Sequence, residues 1–214
     1  MTTPEFSTYR RAAYAPPSED HVYDFLVNNS FGTLVSTHES VPVITHLPML
    51  VSRKQRALIG HMARANDHWS LADGQDVVCI FNGPNAYISP RWYAEKNTVP
   101  TWNYVVVHVH GTLRVDQSDA ERLDVLSHYV DCFERLLPDP WTVDEADNDF
   151  IEKLAKQTVA FRIEIERLEP IWKLSQHHPE DRRRRVVDEL ERQPNHNSKA
   201  IATLMRENLP GEGP

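Results

Sequence analysis

The sequence predicts a mostly β fold with helices, of the α+β class: a small, mainly antiparallel barrel with helices packed outside it. Three observations carry this. At least six short segments either alternate apolar and polar residues or run apolar on both faces, the marks of half-buried and buried strands. The segments between Phe31 and Ala63 follow one another with no helix between them, which disfavours a doubly wound parallel sheet. Helical periodicity collects before Phe31, from Leu123 to Ala155, and after Pro179.

Taken in order, Ser18 can cap a first helix whose Val22, Phe25 and Leu26 share a stripe, and Gly32 closes that unit. FGTLVST (31–37) and VPVITHLPMLV (41–51) read as strands joined by a hairpin-like link, His38–Ser40. ALIGHMA (57–63) follows a basic turn, and Asn66 is a plausible cap for a short helix over 66–72. VVCIF (77–81) is apolar on both faces and is expected to pair with AYISP (86–90) across Asn82–Asn85. A long strand covers 101–115. Helical stripes follow at Leu123, Leu126, Val130, Phe133 and Leu137, and at Phe150, Ile151, Leu154 and Ala155. VAFRIEIERL alternates cleanly, with Val159, Phe161, Ile163 and Ile165 on one face, and Pro170 is expected to break the chain. Pro179 suits a first helical turn, and the rest is helical, with one stripe at Val186, Val187 and Leu190 and another at Ile201, Leu204 and Met205. The expected organisation is an arm over 1–17, a barrel over 18–176 and a helical segment over 177–214.

Composition narrows the class. With 214 residues, 40% hydrophobic and 25% charged, the chain can bury one good core. No apolar run nears the roughly 18 residues of a membrane helix, and the start, MTTPEFSTYRRAAYAPP, lacks the apolar stretch of a signal peptide. Cys79 and Cys132 are dispersed and read as buried thiols, so a reducing, cytoplasmic setting is expected. A net charge of −8 argues against a general grip on nucleic acid. The basic run Arg182–Arg185 is interleaved with Glu180 and Asp181, which can pair with Arg184 and Arg185 at i,i+4 on a solvated helix face. No GxGxxG or Walker-type loop occurs, nor an HxxxH or CxxC metal spacing.

The chemistry-bearing residues cluster. In the strand 101–115, Val105, Val107, Val109, Leu113 and Val115 point inward, while Trp102, Tyr104, Val106, His108, His110 and Thr112 cover the other face. That second face suits a subunit interface or the wall of a flat cofactor. His46 lies between apolar flanks, and GHMARAND places His61, Arg64, Asn66, Asp67 and His68 within eight residues. His61 shares the alternation of Ile59, where a neutral imidazole serves either as an iron ligand or as a core histidine bonded to backbone. Arg64, Arg91, Lys96 and Lys173 lie near Trp69, Trp92, Trp102 and Trp172, an association that fits the walls of a large planar ligand or a dimer interface. No nucleophile elbow is present, so hydrolysis is not expected.

HLPML, GHMARANDHW, FNGPNAYISPRWY, VPTWNYVVVHVHG and WKLSQ follow one another as in the PaiB family, whose members are usually labelled FMN-binding negative transcriptional regulators. The resemblance runs from about Tyr23 to Met205. It implies a flavin-reductase-like split β-barrel with peripheral helices, homodimeric, with cofactor sites at the interface. Some PaiB-like proteins resemble piperazate synthases, haem enzymes that cyclise N5-hydroxy-L-ornithine to L-piperazate through an N–N bond. On that resemblance the expected cofactor is haem b and the expected substrate a small amino acid. His61 would be the iron ligand with His46 in reserve, and Arg64, Arg91 or Lys173 would meet the propionates. Arg64 and Tyr93 join His61 as catalytic candidates, and Asn66, Trp69, Thr101, Trp102, Asn103, Ser175 and Gln176 as cofactor-binding candidates. The alternative is an FMN-binding PaiB-type negative regulator, with Arg64 and Lys173 on the phosphate and Thr101 to Tyr104 along the ring, or a flavin-dependent reductase of the same fold. Arg91, Pro170–Ile171 and His177 depart from the usual family pattern. DNA and membrane are not expected partners.

Overall fold

Hydrogen-bonded strands in the order β2-β1-β5-β6-β7-β4-β3 form one seven-stranded antiparallel sheet, with β1 Phe31–His38, β2 Val41–Pro48, β3 Leu50–Ser52, β4 Ala57–Ala63, β5 Asp76–Ile88, β6 Thr101–Asp116 and β7 Thr158–Lys173. The computed structural model describes residues 12–116 and 118–210, so most of the expected arm over 1–17 lies outside the described residues. The helices are α1 Glu19–Asn28, α2 His68–Ala72, α3 Asp119–Glu134, α4 Asn148–Ala155, α5 Glu180–Arg192 and α6 His196–Glu207. The chain divides into two units. One holds the residues up to Val22, Asn82–Val107 and those from Pro170 onward; the other holds Tyr23–Phe81 and His108–Glu169.

Within the second unit, β1 and β2 form the expected hairpin, paired from Phe31↔Pro48 to His38↔Val41. Glu39 and Ser40 both adopt positive φ, 48° and 67°, the left-handed pair that a two-residue hairpin turn needs to match strand twist. β4 pairs with β7 from Ala57↔Glu164 to Ala63↔Thr158. The alternation of β7 is as expected, with Val159, Phe161, Ile163 and Ile165 buried. On β6, Val105, Val107, Val109 and Leu113 are buried. Each such side chain is worth roughly 1.5–3 kcal/mol against exposure.

Four expectations need correction. The segment 77–81 and the first three residues of 86–90 lie in one continuous strand, β5, rather than in a hairpin. Gly83 lacks the positive φ of a tight hairpin turn, and the fixed φ of Pro84 is compatible with extended chain. β7 also runs straight through Pro170. β4 pairs with β7 only as far as Glu164, so that edge makes no demand on the proline's missing N–H. On α3 the buried line is Arg122, Val125 and Tyr129, while Phe133 and Leu137 of the expected stripe are 40% and 51% exposed. Tyr129 sets this rotation: its hydroxyl lies 2.7 Å from the Pro48 carbonyl oxygen and 3.0 Å from that of Ile59. Finally, α2 begins at His68 after Asp67, although the Asn66 side chain still accepts from the His68 N–H at 3.1 Å.

The thiols of Cys79 and Cys132 are free. Among the described residues no helix is long and apolar enough to cross a membrane.

Candidate functional site

Two groups of predicted site residues emerge, one in each unit. In the unit that holds β1 to β4, the GHMARANDHW segment makes a dense polar corner. His68 is 1% exposed, and its ring nitrogens meet the Ser36 hydroxyl at 2.9 Å and the Thr45 hydroxyl at 2.8 Å. Asn66 donates to Thr45 Oγ1 at 3.1 Å. Arg64 is committed to main chain: its guanidinium donates to the carbonyls of Lys156 and Thr158 at 2.9 and 3.1 Å and lies 6.0 Å from the Trp69 ring centroid. Trp69 in turn donates its indole N–H to the Arg64 carbonyl at 3.1 Å. His46 is exposed on β2 and pairs with Thr33 Oγ1 at 2.9 Å.

His61 is half-buried on β4, edge-on to Tyr129 with ring centroids 4.6 Å apart. Its Nδ1 is buried with no hydrogen-bond partner among the described residues, and burial lowers the ring's pKa, keeping it neutral. A proton on Nδ1 would be a buried donor without an acceptor, at a cost of roughly 1–3 kcal/mol. Without that proton Nδ1 is a buried lone pair that receives no donor, so this atom is unsatisfied in either tautomer.

The outer face of the same unit holds an arrangement that sequence reasoning did not anticipate. His110 Nε2 and His108 Nδ1 lie 3.3 and 3.7 Å from one carboxylate oxygen of buried Glu169, and Arg167 pairs with the other. The HxH spacing was visible; its acidic partner, about sixty positions on, was not.

In the other unit, the ends of β6 and β7 carry the remaining candidates. Lys173 Nζ donates to Thr101 Oγ1 at 2.6 Å and to the Trp102 carbonyl at 2.7 Å, and it lies 5.8 Å from the Tyr104 ring centroid. Asn103 is fully buried, its amide donating to Ser175 Oγ at 3.0 Å and to Met205 Sδ at 3.2 Å. Ser175 adopts φ 64°, a left-handed conformation that costs a non-glycine residue about 1–3 kcal/mol and that the buried pairing with Asn103 sustains. Gln176 folds back on its own strand end, accepting from the Leu174 N–H at 2.8 Å and donating to the Trp172 carbonyl. Trp172 is 4% exposed and is core rather than cofactor wall.

Arg91 is exposed, whereas Tyr93 is 2% exposed with a hydroxyl that has no partner among the described residues. Burial raises the Tyr93 pKa, against the opposing pull of Arg182, whose guanidinium lies 5.0 Å from the ring centroid. The His178 ring is tilted at 42° to that of His177, with centroids 4.0 Å apart, and accepts from Arg182 at 3.0 Å, and burial, aided by the positive charges around it, lowers its pKa to about 4. Every arginine of the basic run has a partner within the protein: Arg182 and Arg185 with Glu95, Arg184 with Glu180, Arg185 also with Asp181, and Arg183 with the Asn208 carbonyl. A cavity of about 620 Å³ also opens in this unit, with Tyr87, Trp92 and Trp102 on its walls and the start of α6 beside them.

The buried histidines set a pH response. His61, His68 and His178 all have folded pKa values below the ordinary value of about 6.5, so the unfolded chain takes protons first on acidification. Their contribution is complete above about pH 6.5 and is lost as pH falls from there towards 4. Thermal melts should give a flat midpoint from pH 8 to 7 and a decline that starts below 6.5. His68→Gln should blunt that decline, and a midpoint unchanged down to pH 4.5 would refute the assignment.

Residues 8–167 match a family described as "Putative FMN-binding domain". A curated relative, the protease synthase and sporulation protein PAI 2 of Bacillus subtilis (strain 168), is 34% identical over 193 residues, covering 89% of this chain and 92% of its own. Among solved structures, the conserved hypothetical protein Rv2991 of Mycobacterium tuberculosis aligns with a TM-score of 0.59 at 15% identity, over 80% of this chain and 94% of that one. The flavocytochrome Anf3 of Azotobacter vinelandii aligns with a TM-score of 0.55 at 14% identity, over 73% and 68% respectively. The likeness to these two structures is one of fold.

Proposed function

The chain belongs to the PaiB family of FMN-binding split-barrel proteins, and on that premise we propose that it binds FMN at the end of β6 and β7. The observation that carries the reading is the donor set there. Lys173 and Thr101 bring an ammonium and a hydroxyl within 2.6 Å of each other, a pair suited to a phosphate dianion. Trp102, 53% exposed, and Tyr104 stand beside them as ring surface for the isoalloxazine. Bound FMN would supply a reversible acceptor of one or two electrons; the protein's part is to hold the phosphate and cover one ring face.

Haem, the other cofactor the resemblance implies, requires His61 to present a lone pair at Nε2. That places the ring proton on Nδ1, which is buried without an acceptor among the described residues. The haem-dependent cyclisation of N5-hydroxy-L-ornithine depends on that iron and ranks below the flavin reading. Regulation of the kind the family label carries would run without the Arg182–Arg185 run as a DNA surface, because each of these arginines is engaged within the protein. The homodimer implied by the family resemblance is part of the same reading.

Absorption and fluorescence of the purified protein, titrated separately with FMN and with haem, test this. Saturable quenching of FMN fluorescence at one flavin per chain is the expected result. A Soret band that survives gel filtration and vanishes in His61→Ala, with no FMN uptake, would replace this reading with the haem one.

A further inference from the structure

We infer that the cavity at the start of α6 is a binding site for an uncharged planar heteroaromatic ring with a carboxamide or lactam edge. Its walls are aromatic. Tyr87 and Trp102 meet edge to face, with ring centroids 5.9 Å apart at 72°, and Trp92 completes the wall. Tyr87 and Trp102 are 47% and 53% exposed, a costly display of aromatic surface unless a ligand covers it. The volume, about 620 Å³, is that of a small-molecule site.

The polar part of the lining selects the ligand. It consists of carboxamides, the hydroxyls of Tyr87 and Ser198, two indole N–H groups and one imidazole, with no carboxylate, ammonium or guanidinium. Asn195 already serves α6 as its cap, accepting from the Ser198 N–H at 2.7 Å, and Gln193 donates to the Glu189 carbonyl at 3.2 Å. The side-chain amides of Asn85 and Asn197, both exposed, pair with no other described residue, so two amides are open to a ligand edge. An anion would meet no ammonium or guanidinium, only the exposed N-terminus of α6, whose Ser198 N–H the Asn195 cap already takes, whereas a neutral ring with its own donor and acceptor satisfies both amides and stacks on the indoles. The inference goes beyond the flavin reading and shares with it only Trp102.

Nicotinamide is the probe and nicotinate, its anionic counterpart, the control, titrated by calorimetry or by saturation-transfer NMR. Saturable nicotinamide binding is expected, with nicotinate at least about tenfold weaker. Trp92→Leu and the exposed Asn197→Ala should each weaken nicotinamide roughly five- to tenfold while the FMN affinity stays within about twofold. Circular dichroism checks that both variants fold. Absence of saturable nicotinamide binding to the wild-type chain, or equal binding of nicotinate, overturns the inference. Nicotinamide binding without FMN binding upholds it and removes the flavin reading alone.

Discussion

Gly111→Ala is expected to abolish the folded state or to destabilise it by more than about 4 kcal/mol, the range reserved for lesions that the structure cannot relax around. Gly111 lies on β6 where that strand meets β7. A methyl group there would fall inside van der Waals contact with the Glu164 carbonyl oxygen, 2.9 Å from its carbonyl carbon and 3.1 Å from Ile163 Cγ2. The obstacle is main chain, held on its far side by the Ala57↔Glu164 pairing with β4. It cannot swing aside as a side chain would, so the sheet must open at its centre. Gly60→Ala offers the contrast. Its methyl would strike the ring of Phe161, a side chain, and the second substitution Phe161→Leu should restore much of the lost stability. Urea melts of Gly111→Ala, Gly60→Ala, Phe161→Leu and the Gly60→Ala/Phe161→Leu double variant decide the matter. A Gly111→Ala chain that unfolds within about 1 kcal/mol of wild type would show that β6 and β7 are further apart than described.

What was legible in the sequence follows from physical range. The period-two pattern of β6 and the second strand face of β7 survive because burial on one face is a local signal. The hairpin of β1 and β2 was legible for the same reason. The two misread breaks, at Asn82–Asn85 and at Pro170, share a cause: Gly and Pro were read as chain punctuation, yet their effect depends on which neighbour needs their N–H. Pro170 is tolerated because β4 stops pairing at Glu164, a fact of tertiary register. The rotation of α3 likewise depends on Tyr129 finding two carbonyls on other strands. For the site, the residue types were well chosen but not their engagements. Arg64 has the chemistry of an anion ligand and is spent on two carbonyls of its own unit. Trp172 has the chemistry of a ring wall and is core. The carboxamide side of the cavity, by contrast, gave only the weak signal of a capped helix, because Asn85 and Asn195–Asn197 are far apart in sequence and polar in the ordinary way of loops.

Lys173→Met is expected to weaken FMN roughly 10- to 150-fold, the equivalent of about 1.5–3 kcal/mol for a charge-assisted hydrogen bond to phosphate. The side chain already serves the fold, since its ammonium bonds the Thr101 hydroxyl and the Trp102 carbonyl, so a fall in affinity alone would not separate a ligand from a strut. The comparison with riboflavin does separate them. FMN and riboflavin share the ring and the ribityl chain and differ in the phosphate, so the ratio of their affinities isolates the anion contact. In the wild-type chain FMN should bind much the tighter, and raised salt should erode its advantage. Lys173→Met should bring the two affinities together while leaving riboflavin nearly unchanged. Thr101→Val, which removes a neutral partner, should cost FMN less, roughly two- to tenfold. Lys173→Arg should retain part of the preference, because charge persists while the ammonium's fit to Thr101 and Trp102 is lost. If Lys173→Met weakens FMN and riboflavin equally, the lysine holds the Trp102 wall and the phosphate is bound elsewhere. If it weakens neither, the flavin does not bind at the end of β6 and β7.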